Sequence, residues 1–249
     1  MDHHLWIYIA VGILAQLIDG SLGMAYGVSS NSFLLSIGVP PAAASASVHT
    51  AEVFTTAISG ISHWKFGNLD KTLARRLIIP GVVGGIVGAY LLANLPGNVI
   101  KPFISLYLLL MGIRILVKAF RNLEANEALP HQRNLTLLGL AGGVCDAIGG
   151  GGWGPIVTTT LVSRGSSPRK TIGSVNFSEF FVTFAEVLTF IATIGLANWQ
   201  VILGLAIGGA IAAPFGAFLT QKIPAKPMMI LVGGLIILLS LSTIFLAWF

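Results

Sequence analysis

The sequence predicts an all-α integral membrane protein built as two inverted-topology repeats, each a broken or re-entrant helix hairpin followed by three transmembrane helices. Three observations carry this. Hydrophobic residues make up 55% of the 249 and charged ones 9%, too little charge for a soluble domain of this size to cover itself. The same order of apolar runs occurs twice. Lys and Arg gather in short connectors between those runs, where the positive-inside rule can read them.

The basic clusters fall at 63–76, 118–133, 164–170 and 222–226. A formal charge of +5 spread over connectors, and not on one face, marks topology and not a nucleic-acid partner. The single cysteine, Cys145, excludes an internal disulfide and reads as a small buried filler. The first apolar run, 5–18, has signal-peptide length, but Asp2, His3 and His4 precede it where Lys or Arg would stand, so it is read as part of the mature chain.

Asp19 and Asp146 lie 127 residues apart. The same shift places Gly23 on Gly150, Gly27 on Gly154, Gly38 on Gly165, Pro41 on Pro168, Ser47 on Ser174, Val48 on Val175 and Glu52 on Glu179. After one added residue, GAYLLANLP from Gly88 lies over GAFLTQKIP from Gly216. Each copy has five apolar segments, at 5–18, 28–37, 41–62, 73–93 and 99–119, then at 134–144, 155–163, 171–194, 199–220 and 228–247. The division expected is a first repeat over 1–122, a cytoplasmic connector over 123–133 and a second repeat over 134–249, forming one transmembrane domain.

A crossing helix needs about 20 apolar residues. The last three segments of each copy supply them, and the first two read as short arms flanking a glycine-rich gap. Such non-helical backbone is tolerated at membrane depth only inside protein or beside water. With a hairpin and three crossings per copy, both termini lie outside the cytoplasm and every basic cluster lies within it. Lys101 alone dissents. An odd number of crossings per copy inverts the second against the first.

Inverted repeats with discontinuous helices place transporter sites where the repeats meet. One gap reads AQLIDGSLGMAYGVSSNS from Ala15, the other GGVCDAIGGGGWGPIVTTT from Gly142. Glycine admits close backbone approach, and a helix beginning there aims its positive end at an anion. Candidate substrate contacts are therefore Ser29, Ser30, Gly150, Gly151, Gly152, Trp153 and Thr158. The alternative is that the glycines only let helices pack.

The second constellation is SVHTAE, Ser47 to Glu52, facing SVNFSE, Ser174 to Glu179. On a helix His49 shares a face with Glu52, and Asn176 with Glu179. Ionisable groups inside a membrane are functional candidates by default. His49 and Asn176 are expected at the substrate, His49 binding the anion or accepting a proton, or else standing as a structural histidine. Glu52 and Glu179 are read as proton carriers or as a polar clamp, and Asp19 and Asp146 as holding the broken helix ends. Arg114 is expected to extend to the headgroups.

At LIDGSLGMAYG, SVHTAEVFTT with the following SGISHWKFGN, GGGGWG and SVNFSEF, the chain resembles the TauE/SafE (TSUP) family of sulfite and organosulfonate exporters, over nearly its whole length. The resemblance implies a bacterial or archaeal inner-membrane protein carrying a small sulfur-containing anion such as sulfite, sulfoacetate or thiosulfate, coupled to protons. A passive anion channel of the same architecture is the alternative. The expected partners are that anion, protons and the lipid bilayer, with a homodimer admitted and no nucleic acid. With no metal-ligand set, no nucleophile beside a base and no cofactor fingerprint in the sequence, neither enzyme chemistry, a cofactor nor a metal is expected.

Overall fold

The computed structural model describes residues 3–120, 134–164, 166–219 and 225–248. The connector at 123–133 lies outside them, as do the basic residues Arg121, Arg133 and Lys222. The described chain is helical, with no strand among the described residues. Its helices are α1 (His3–Leu22), α2 (Tyr26–Ser36), α3 (Pro41–Lys65), α4 (Lys71–Asn94), α5 (Gly97–Phe120) and α6 (Leu135–Gly149). A π-helical turn (Gly154–Thr158) then runs into α7 (Thr159–Ser163), followed by α8 (Pro168–Thr193), α9 (Trp199–Leu219) and α10 (Ala225–Trp248).

Local chemistry sets the boundaries. Pro41 and Pro168 open α3 and α8 in the first helical turn, where a missing N–H costs nothing. Asp70 caps α4, its carboxylate accepting from the N–H groups of Thr72 (2.9 Å) and Leu73 (3.1 Å). The breaks after α1 and α6 are made by left-handed backbone at Gly23 and Ala25 and at Gly150 and Gly151.

Ionisable groups are buried together with part of the apolar side chains, while other large apolar side chains cover the outside. Asp19, Asn31, Ser45, His49, Glu52, Asn176 and Glu186 are buried, whereas Trp6, Leu14, Phe54, Ile79, Phe103 and Leu231 are exposed. In water this would be an aggregation-prone surface; in hydrocarbon it is the stable arrangement. Helices α1, α4, α5, α8 and α9 are long and apolar enough to cross a bilayer. The chain is an all-α, multi-pass membrane protein.

One expectation needs correction. The sequence reading makes 5–18 an arm too short to cross alone, but α1 continues through Asp19 and Gly20 to 20 residues, about 30 Å. Those residues stay helical because Asp19 turns inward to the main-chain N–H of Tyr26, and Gly20 lets α1 lie against the backbone of Gly216 in α9. Helix α6 is shorter, at 15 residues.

The helices pair reciprocally. Helix α1 packs on α9 and α4 on α6; α3 packs on α9 and α4 on α8; α3 and α8 pack on each other, as do α5 and α10. The residues repeat the pattern. A side-chain carbon on Gly209 of α9 would strike Thr55 and Tyr26, and one on Gly81 of α4 would strike Val182 and Trp153, which stand at the matching positions. The two breaks lie together at the centre, where Gly27 abuts Gly150 and Gly151, and Gly154 abuts Gly23 and Met24. Thr158 Oγ1 donates to the Gly23 carbonyl (2.7 Å) and Asn31 Nδ2 to the Gly149 carbonyl (2.6 Å), joining break to break.

Candidate functional site

Helices α3 and α8 flank the joined breaks and carry most of the ionisable side chains there. His49 Nδ1 donates to the Ser45 carbonyl one turn back (2.8 Å). That bond aims the other ring nitrogen, Nε2, at Glu186 Oε2 (2.9 Å), Asp146 Oδ2 (3.6 Å) and Glu52 Oε2 (3.9 Å). Asp146 is itself held, since its Oδ1 accepts from the main-chain N–H groups of Gly152 (2.6 Å) and Trp153 (2.9 Å). Glu186 fits only because Gly85 of α4 has no side chain in its way.

In the other half the same frame carries neutral groups. Asn176 Nδ2 donates to the Ile172 carbonyl one turn back (3.3 Å), and its Oδ1 accepts from Ser59 Oγ (2.7 Å). Ser59 and Glu186 are 127 residues apart, as are His49 and Asn176. An ionisable pair, His49 with Glu186, therefore stands opposite a neutral pair, Asn176 with Ser59.

Five of the nine acidic residues, Asp19, Glu52, Asp146, Glu179 and Glu186, are buried, none more than 3% exposed, and His49 is 0% exposed. The helices that carry them hold Lys and Arg only at their ends, Lys65 of α3 and Arg169 and Lys170 of α8. Carboxylates held out of water without partners are costly, so each of these groups needs either a proton of its own or a nearby donor or positive charge.

The expected residues divide into two sets. His49, Glu52 and Asp146 meet, Asp19 and Glu179 are buried in the same ionisable core, and Asn176 occupies the matching place in the other half. The hydroxyls of the gaps are otherwise engaged: Ser29 donates to the Ala25 carbonyl and Thr158 to that of Gly23. Ser30 is buried with an unpartnered hydroxyl.

The glycine loop follows the packing alternative. Side-chain carbons at Gly150, Gly151 and Gly152 would strike Asn31, the Gly27–Val28 backbone and Tyr107 respectively. The loop's amides already serve the Asp146 carboxyl, and the Asp146 main-chain carbonyl also accepts from Gly151 N (3.0 Å). Trp153 is fully buried against α4, its indole N–H donating to the Val175 carbonyl (3.2 Å). Arg114, expected at the headgroups, donates to the Thr160 hydroxyl of α7 (3.3 Å).

Glu186 was not among the sequence candidates. It carries the same signal as Glu52, a carboxyl inside an apolar segment, and its partner in the repeat is a serine, Ser59. The basic connectors also meet. Arg169 Nη2 donates to the Phe66 carbonyl (2.8 Å) and Lys170 to that of Gly67 (2.9 Å), putting residues of the 63–76 and 164–170 clusters on one side.

Apolar helices around a buried ionisable core, with two helix breaks beside it, define the class: a membrane transporter. The chain belongs to the sulfite exporter TauE/SafE family, whose model matches residues 8–243. It is similar to the probable membrane transporter protein YtnM of Bacillus subtilis (strain 168), with 49% identity over 249 residues, 97% of this chain and 83% of that protein. No solved structure matches it.

Proposed function

We propose that this protein is a secondary carrier that exports a small sulfur-containing anion, sulfite or an organosulfonate such as sulfoacetate, together with protons. The single observation behind this is the buried set of five carboxyls where the two halves meet, three of which, on Glu186, Asp146 and Glu52, lie within 3.9 Å of the His49 imidazole. An anion cannot approach five ionised carboxylates in a low-dielectric interior. It enters only when positive charge enters with it, and coupling follows from that requirement. The family's name suggests the sulfur anion; the buried carboxyls support the coupling.

The two halves, 1–122 and 134–249, are inverted repeats in this reading, which the reciprocal packing supports. In this reading a two-fold axis in the membrane plane would exchange α1 with α6, α3 with α8, α4 with α9 and α5 with α10, in keeping with the matched α1–α9 and α4–α6, and α3–α9 and α4–α8, packings. The anion passes beside the joined breaks, bounded by Ser30, His49 and Asn176, with Asp19, Glu52 and Glu179 carrying protons. The protein sits in a bacterial or archaeal inner membrane with both termini outside, places the joined 63–76 and 164–170 connectors in the cytoplasm, and performs no covalent chemistry on its cargo.

A carrier and a passive channel part on one measurement. In proteoliposomes preloaded with unlabelled sulfite, entry of labelled sulfite is expected to saturate and to run several-fold faster than into empty vesicles. Linear entry with no trans-stimulation would mean a channel. No entry of sulfite, sulfoacetate or thiosulfate would remove the anion reading.

A further inference from the structure

The hydrogen bond from His49 Nδ1 fixes more than the ring's direction. A main-chain carbonyl only accepts, so Nδ1 carries the proton, and in the neutral ring Nε2 is a bare lone pair. That lone pair faces Glu186 Oε2 at 2.9 Å and Asp146 Oδ2 at 3.6 Å. Three acceptors pointing at one another in a dry interior require a positive centre among them.

A single proton bridges two of these atoms and leaves the third. Asp146 Oδ2 and Glu186 Oε1 are buried with no hydrogen-bond partner. A metal ion serves all three. Its donor atoms from His49, Asp146 and Glu186 lie within 4.8 Å of one another, and two ligands at about 2.0–2.2 Å in a tetrahedral shell are about 3.3–3.6 Å apart. The Asp146 separation already fits, and Glu186 fits after drawing back a few tenths of an ångström. Glu52 Oε2, 3.9 Å from Nε2, is the nearest fourth donor.

The surroundings are those of a ligand set. Metal-binding histidines characteristically donate their second ring nitrogen to a carbonyl, and ligating carboxylates are held by hydrogen bonds to their other oxygen. His49 has the first and Asp146 the second. A neutral imidazole, two carboxylates and a divalent ion sum to zero charge, which relieves this corner of the core of its burial cost. Imidazole nitrogen together with carboxylate oxygen at tetrahedral spacing suits zinc first; magnesium and calcium favour all-oxygen shells, and manganese, which leans the same way, is the intermediate case.

We propose that His49, Asp146 and Glu186 bind one divalent transition-metal ion at the meeting of the two halves. The matching positions, Asn176, Asp19 and Ser59, offer no such set, so there is one such site among the described residues. The inference rests on the donor geometry and not on the transport reading; Asp19, Glu52 and Glu179, none of them among the three ligands, still carry the protons.

The test uses the purified full chain in detergent, freed of metal by chelator and then titrated with Zn2+, Mn2+ and Mg2+, with bound metal counted by elemental analysis and stability by thermal unfolding. Wild type is expected to take up about one Zn2+ or Mn2+ per chain and to melt higher with it, while Mg2+ does neither. Glu186→Gln and His49→Asn are expected to weaken uptake at least about 100-fold, beyond the ~10–100-fold of an outer-shell change. Each variant's melting point without metal shows whether it has folded. Failure of wild type to bind either metal would overturn the proposal, and so would undiminished uptake in both folded variants, which would place the ion on other residues such as His3 and His4. Because no anion or gradient is involved, this result stands or falls apart from any flux measurement.

Discussion

His49→Asn is expected to lower anion flux about 10- to 100-fold while the protein still folds, inserts and purifies as wild type does. The choice of asparagine follows from the structure. In α8 an asparagine occupies the matching place, donates to the carbonyl one turn back and accepts from a serine hydroxyl, so the residue is compatible with the backbone and the packing of this frame. What the substitution removes is the nitrogen facing Glu186 at 2.9 Å. A buried hydrogen bond involving a charged group contributes about 1.5–3 kcal/mol, and tenfold corresponds to about 1.4 kcal/mol. The check is initial flux in proteoliposomes at matched protein density. Flux within twofold of wild type would reduce His49 to a structural histidine.

Trp153→Ala is expected to cost the fold about 3–5 kcal/mol, the range for deleting a buried aromatic side chain, out of a total that is ordinarily about 5–15 kcal/mol. Trp153 is fully buried. It fills the space left by Gly81 and Gly142, meets Val182 and ties its indole N–H to the Val175 carbonyl. It therefore joins the arm after the second break to α4, α6 and α8 at once, and no neighbour can fill its volume. Thermal unfolding of the detergent-purified variant, or loss of its monodisperse peak, measures the effect. Trp153→Phe keeps most of the volume and forfeits the hydrogen bond, and is expected to cost about 1–2 kcal/mol. A wild-type melting point for Trp153→Ala would show that Trp153 lines open space.

Composition made the membrane legible, because bilayer and water demand opposite surfaces, and the spacing of Asp19, Gly23, Gly27 and Glu52 from their counterparts gave the two-copy element order. The length of α1 was not legible. A carboxyl followed by glycine looks like the end of a helix, and only tertiary partners, Tyr26 for Asp19 and Gly216 for Gly20, keep it wound. Glycines at 150–152 look alike in sequence whether they cradle a ligand or admit a neighbouring backbone; the position of Gly27 and Tyr107 decides it. The ionisable pair was half visible. His49 stood out against Asn176, but Glu186 required knowing that α3 and α8 cross at these residues, which a single sequence does not encode at any fixed spacing.

The central claim is that an anion crosses this core only with positive charge, and one measurement meets it directly: sulfite flux into wild-type proteoliposomes under an imposed pH gradient, beside Glu52→Gln and Glu179→Gln, each of which keeps a hydrogen-bonding group but cannot release a proton. Wild-type flux is expected to rise several-fold when the acid side is the side of the anion, and to lose that response in at least one of the two variants. Sulfite flux that is the same with and without the gradient in wild type would contradict it.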